Sequence, residues 1–194
     1  MTRILSITTA ACATVALFAC SQQPSDAQDQ EMSETLPTET ASESLPYMMR
    51  ATGDLIGSEG DTIGSINLLE GPNGILMEVA VDEGGLPPGW HGIHIHQVGD
   101  CSDTGVFKAS GGHLGKIEGG HGLLNSKGPE AGDLANLYAF DDGSVKFETF
   151  TNLTTLSDLL DEDGSAIIVH EGRDDHMSQP IGGAGGRIAC AVIE

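Results

Sequence analysis

From residue 62 onward, short apolar runs alternate with clusters of Gly, Pro, Asn and Asp. Residues 62–68 lead into Gly71-Pro72-Asn73-Gly74, and residues 75–81 follow. Two such runs about a Pro/Asn/Gly turn predict a β-hairpin. Residues 137–140, Asp141-Asp142-Gly143 and residues 145–150 repeat the arrangement, with Val145, Phe147 and Thr149 on one face. Residues 166–170 and 187–193 are apolar runs of strand length and are expected to be buried. Residues 154–160 form the one helical candidate, and it is short. Short strands, frequent turns and no long amphipathic helix predict an all-β fold, a β-sandwich or barrel. Residues 99–136 interrupt the rhythm with little apolar periodicity. A loop that long inside a folded domain needs its own source of order, and a metal or a disulfide is the usual one.

The N-terminal pattern is different. Arg3 precedes an apolar, small-residue stretch over residues 4–19, which reads as a secretory signal peptide. Leu17-Phe18-Ala19-Cys20 is similar to the bacterial lipobox, although Phe18 departs from the small residue usual there. Lipidation of Cys20 would anchor the chain to a membrane surface without spanning it. Residues 21–46 are rich in Ser, Thr, Gln, Glu and Pro, too polar to bury a core, and read as a disordered tether. The folded domain is expected over residues 47–194.

Charge narrows the function. The chain has 29 Asp+Glu against 8 Lys+Arg, a formal net charge of −21. Nucleic-acid binding and attachment to anionic lipid through basic residues both need the opposite balance. No apolar run reaches the roughly 20 residues of a spanning helix, so any membrane contact is expected only through a lipid on Cys20. Of the 4 cysteines, Cys12 lies in the expected signal and Cys20 is the candidate anchor. Cys101 and Cys190 remain as one pair in an exported domain, where oxidising conditions favour a disulfide.

All 7 histidines fall within residues 91–176. His94-Ile95-His96 on a strand would point both rings to the same face. His113, His121 and Asp133 follow in the long loop, and His170 ends an apolar run. Imidazoles suit copper and zinc, and an added carboxylate suits zinc. The clustering therefore predicts a metal centre.

The segments that carry these histidines resemble a known family. Residues 92–101, Gly-Ile-His-Ile-His-Gln-Val-Gly-Asp-Cys, look like one signature of the Cu/Zn superoxide dismutases. Residues 182–190, Gly-Gly-Ala-Gly-Gly-Arg-Ile-Ala-Cys, look like the other. Between them, Gly111-Gly112-His113, His121-Gly122, Gly128-Pro129, Ala131-Gly132-Asp133 and Val169-His170 fall at the family's spacings.

The resemblance covers residues 50–194 and implies a Greek-key β-sandwich of about eight strands with long metal-binding loops. It implies copper on His94, His96, His113 and His170, and zinc on His113, His121 and Asp133, with His113 shared. Asp174 matches a carboxylate that hydrogen-bonds one histidine from each site, and Arg187 matches the residue that holds the anionic substrate, superoxide. His91 matches a structural histidine, and His176 matches no ligand. One departure stands out: the family's remaining zinc histidine is Glu130 here. A carboxylate can ligate zinc, so a zinc site that is occupied but more easily emptied is expected.

The implied activity is dismutation of superoxide to dioxygen and hydrogen peroxide by copper redox cycling, with His113 carrying a proton. The alternative is a copper-binding or copper-delivery module without catalysis, in which Arg187 would have no role. A metal-free structural sandwich would predict eroded ligands. The protein is expected in the periplasm or cell envelope, as a monomer or homodimer. Arg187, Arg173 and Lys108 are candidate sources of a local positive field.

Overall fold

The computed structural model describes residues 48–194. The signal peptide, Cys20 and the tether expected over residues 1–46 lie outside the described residues. In chain order the strands are β1 (Met49–Gly57), β2 (Thr62–Gly71), β3 (Gly74–Val81), β4 (Gly89–His91), β5 (Ile93–His96), β6 (Leu137–Ala139), β7 (Val145–Thr151), β8 (Ser165–His170) and β9 (Arg187–Ile193). Seven of them form one antiparallel sheet in the order β5-β8-β9-β1-β2-β3-β7, and β4 pairs with β6. The all-β expectation holds. Among the described residues nine strands stand where about eight were expected, because the run over residues 89–96 breaks at Gly92, whose N–H and carbonyl bond Gly172 and His170 instead.

The predicted hairpin is β2–β3, in register from Gly64 opposite Val81 to Gly71 opposite Gly74. In β7, Val145, Phe147 and Thr149 are turned inward and Phe150 outward, as the alternation predicts. β1 has no counterpart in the sequence reading. Its inward face is Ala51, Gly53, Leu55 and Gly57, so small residues hide the hydrophobic alternation. They are small because β9 lies close, and a Cβ on Gly53 would collide with the Val192 carbonyl. The four-residue helix α1 (Leu156–Leu159) lies within the helical candidate and is closed by a capping box between Thr155 and Asp158.

Leu55, Ile66, Leu68, Met77, Ile95 and Ile167 are fully buried in the main core. Each such side chain stabilises the fold by about 1.5–3 kcal/mol relative to exposure. β5 and β8 are buried at every residue, which means both of their faces are covered. The inner face packs in the core. The outer face carries a second apolar cluster of Phe107, Ala166, Ile168 and Cys190.

The long loop supplies that outer cover. Cys101 is joined to Cys190 across 89 residues with Cα atoms 5.8 Å apart, as expected. The loop returns to β5 through Leu114 N–H to the Ile95 carbonyl and Ile95 N–H to the Gly132 carbonyl, both 2.9 Å. Residue 132 must be glycine here, because a Cβ would strike the Ile95 carbonyl. His96 is thereby bridged to His113, and His94 to Asp133.

Candidate metal centre

Alternation along β5 sends Ile93 and Ile95 into the core and His94 and His96 to the face under the loop. The docked loop brings His113 beside them, and β8 ends at His170 on the same face. The donor atoms of His94, His96, His113 and His170 all lie within 4.8 Å of one another. Each ring is tied on its outer nitrogen. His94 Nε2 faces Asp174 Oδ2 at 2.7 Å, His96 Nδ1 the Gly111 carbonyl at 3.0 Å, His113 Nδ1 Glu130 Oε2 at 2.8 Å and His170 Nδ1 the Gly185 carbonyl at 3.2 Å. The inner nitrogens, His94 Nδ1 and the Nε2 atoms of His96, His113 and His170, are buried with no hydrogen-bond partner. Outer acceptors of this kind fix the tautomer and aim a bare lone pair inward, which is how metal-binding imidazoles are held.

Burial keeps three of these rings, those of His94, His96 and His170, neutral. His96 is pushed down to about 2 by burial, with the Arg187 charge adding to the effect. His170 is pushed down to about 3, again by burial first. His94 is also lowered, burial outweighing its hydrogen bond to Asp174.

His113, His121, Glu130 and Asp133 form a second buried group, again within 4.8 Å. His121 Nδ1 donates to Asp133 Oδ1 at 2.7 Å, and its Nε2 lies 3.3 Å from Asp174 Oδ1. Burial alone would lower the His121 pKa, but the bonds to Asp133 and Asp174 prevail and raise it to about 10. Asp133 and Asp174 sit well below the usual carboxylate range: burial opposes this, and their hydrogen bonds overcome it. Glu130 is buried among these donors and does not reach solvent. Four imidazole nitrogens suit copper, and two imidazoles with two carboxylates suit zinc. Asp174 joins the two groups through His94 and His121.

Arg187 opens β9 and is half-buried. Its guanidinium donates to the Phe107 carbonyl, to Ser110 Oγ at 3.0 Å and to the Gly111 carbonyl at 2.8 Å. A cavity of about 300 Å³ lined by Arg187, His170, Lys108, Val106 and Ile181 opens there. A larger one of about 380 Å³, bounded by Ser58, Glu59, Asp61, Ile63, Leu86 and Ile188, holds no histidine or cation. The smaller cavity is the one that reaches His170 and Arg187. Lys108 lines it as well. Arg173 does not line it, since its guanidinium lies over the Trp90 ring, 5.2 Å from the centroid.

The family model described as copper/zinc superoxide dismutase (SODC) matches residues 62–193. The chain belongs to the copper/zinc superoxide dismutase family. The superoxide dismutase [Cu-Zn] of Caulobacter vibrioides is 42% identical over 151 residues, 74% of this chain and 85% of that protein. Superoxide dismutase [Cu-Zn] 2 of Aquifex aeolicus is 39% identical over 78% of this chain and 91% of its own. The crystal structure of a SOD-like protein from Bacillus subtilis superposes with a TM-score of 0.65 at 34% identity, covering 73% of this chain and 96% of that one. The family is one of copper and zinc proteins, and the two groups of donors match that pair.

Three polar supports of this dismutase-family site gave no signal in the sequence. Asn136 brackets the Asp174 backbone, accepting its N–H at Oδ1 and donating to its carbonyl, both at 2.9 Å. Gln179 Nε2 donates to the His121 carbonyl at 2.9 Å. Ser110 receives Arg187 and lies 3.4 Å from His96 Nδ1. Such residues are polar loop positions until the fold brings them to a ligand. His91 is structural, its ring nitrogens facing the carbonyls of Pro87 and His170 at 2.7 and 2.8 Å. His176 stands outside both donor groups, its Nε2 taking a bond from Asn136.

Proposed function

We propose that the protein is an exported superoxide dismutase with a variant zinc site, converting two superoxide anions and two protons to dioxygen and hydrogen peroxide. The observation that carries this reading is the set of four unpartnered imidazole nitrogens beside an anchored arginine. His94 Nδ1 and the Nε2 atoms of His96, His113 and His170 would hold copper. His113 Nδ1, His121, Asp133 and Glu130 would hold zinc. Copper, when bound, supplies the chemistry by accepting an electron from one superoxide and giving one to the next.

The chain's own residues do the rest. Arg187 binds the anion: three bonds to the Phe107–Gly111 backbone and Ser110 fix its fork, and a guanidinium keeps its charge at any physiological pH. Lys108 adds positive potential to the same cavity. His113 belongs to both groups and would be the residue that carries a proton to the peroxide product. Asp174 orients His94 and His121 together. A copper-carrying module would have no use for Arg187 anchored in this way.

Residues 1–19 would direct export, Cys20 would carry a lipid, and residues 20–46 would tether the domain of residues 47–194 to a membrane in the periplasm or cell envelope. The disulfide fits that oxidising compartment. The test is metal content and superoxide consumption on the chain loaded with copper and zinc, beside Glu130→His. One copper and one zinc with rapid turnover is expected for the wild type. Tightly bound copper without turnover would replace the enzyme by the copper-carrier reading.

A further inference from the structure

The two donor groups differ in how their atoms are spaced. His113 Nδ1 and Glu130 Oε2 are 2.8 Å apart, and His121 Nδ1 and Asp133 Oδ1 are 2.7 Å apart. Four ligands set tetrahedrally about 2.0–2.1 Å from zinc stand roughly 3.3–3.4 Å from one another. The His113 Nδ1 to Asp133 Oδ1 separation, 3.4 Å, has that spacing. The two shorter ones are hydrogen-bond distances.

The rest of the group is closed in the same way. Glu130 Oε1 accepts the Ile117 N–H at 3.0 Å. Asp133 Oδ2 accepts the N–H groups of Gly122 and Glu130 at 2.7 and 2.9 Å. Neither carboxylate and neither of the two Nδ1 atoms lacks a partner, whereas all four inner nitrogens of the other group do.

We propose that Glu130 is a positioning residue that does in the zinc-free chain what zinc does in the filled one. Its Oε2 accepts the His113 Nδ1–H, and so leaves Nε2 as a bare lone pair turned toward His94, His96 and His170. The copper site then stands assembled before zinc arrives, and copper uptake does not wait on zinc. A histidine at position 130 would accept that bond only through an unprotonated ring nitrogen, and it brings no charge. A carboxylate accepts at either oxygen, and the Ile117 N–H holds the second one in place. The inference rests on reading His113 as shared between the two metals.

The experiment uses the whole chain, free of metal and labelled with ¹⁵N, to read the His113 tautomer from long-range ¹H–¹⁵N couplings. It then measures copper affinity by competition with a chelator, with and without zinc. The Nδ1–H tautomer is expected in the wild type and in Glu130→Gln, whose amide oxygen still accepts, and a mixture is expected in Glu130→Ala. Copper affinity of the wild type should change by less than about threefold on adding zinc. Glu130→Ala without zinc should bind copper about tenfold more weakly, the usual size of losing a partner that orients a ligand. Zinc, added in enough excess to fill the site on the remaining His113, His121 and Asp133, should restore it.

An unaltered tautomer and affinity in Glu130→Ala would overturn the proposal. So would a wild type whose copper affinity rises tenfold with zinc. If Glu130→Ala does not fold, the wild-type pair with and without zinc decides. Copper that fails to bind even with zinc present would remove the reading of the four histidines as well.

Discussion

Arg187 shows how much a single side chain here owes to its anchors. Its charge alone could be supplied by lysine, but three donors bound to Phe107, Ser110 and Gly111 set its direction. Arg187→Lys should therefore lower the second-order rate with superoxide by about tenfold, equivalent to roughly 1.4 kcal/mol, with copper content unchanged. Stopped-flow rates and metal analysis on the same sample check this. The histidines divide by protonation as well as by position. His121 holds its proton up to about 10, so zinc has to displace it. His96 and His170 stay neutral down to about 2 and 3, so copper meets no proton on them. Proton competition at His121 strengthens as pH falls, and zinc affinity should drop by about tenfold per pH unit from 8 to 5. Copper affinity should fall much less over that interval, and calorimetric titrations across it would show a common slope if this division is wrong.

The loop over residues 99–136 is the element on which the site depends, and it is held by few covalent or apolar constraints. Cys101–Cys190 ties its start to β9, the strand that also carries Arg187. Reduction should cost about 2–5 kcal/mol of stability. It should also slow turnover, because the Phe107–Gly111 carbonyls that hold Arg187 lie in the loosened segment. Thermal melts and activity with and without reductant test the two effects together. Docking at β5 is the loop's other attachment. Gly132→Ala places a methyl against the Ile95 carbonyl and should lower zinc content while the main core stays folded, as metal analysis and circular dichroism would show. At this scale the hairpin β2–β3 was legible from alternation about its Gly/Pro/Asn turn, whereas β6 and β7 were legible as strands but not as a hairpin, since β6 pairs with β4 and β7 with β3. β1 was not legible, because a face of Ala51, Gly53 and Gly57 carries little hydrophobic signal.

Across the whole molecule, a net charge of −21 opposes an anionic substrate. What superoxide meets at the cavity is set by charges within a Debye length of about 8–10 Å, and Lys108 and Arg187 line it. The rate should therefore fall modestly as salt is raised, and Lys108→Glu should abolish or reverse that slope. A wild-type rate that rises with salt would mean that the overall negative charge prevails at the cavity.

The sequence by itself determined the β class, the Cys101–Cys190 pair and the gathering of the histidines into residues 91–176, because alternation, cysteine number and the spacing of histidines are local or compositional properties. It also exposed Glu130 as the departure from the family's zinc set. Only the tertiary structure decided what these residues face. That β5 is covered on both sides, that four ring nitrogens meet without partners, that Glu130 points inward at His113 and that Arg173 stacks on Trp90 all depend on contacts between segments far apart in the chain. Hydrophobic period reports which way a side chain turns from its own strand, and it carries no record of what the rest of the chain brings to meet it.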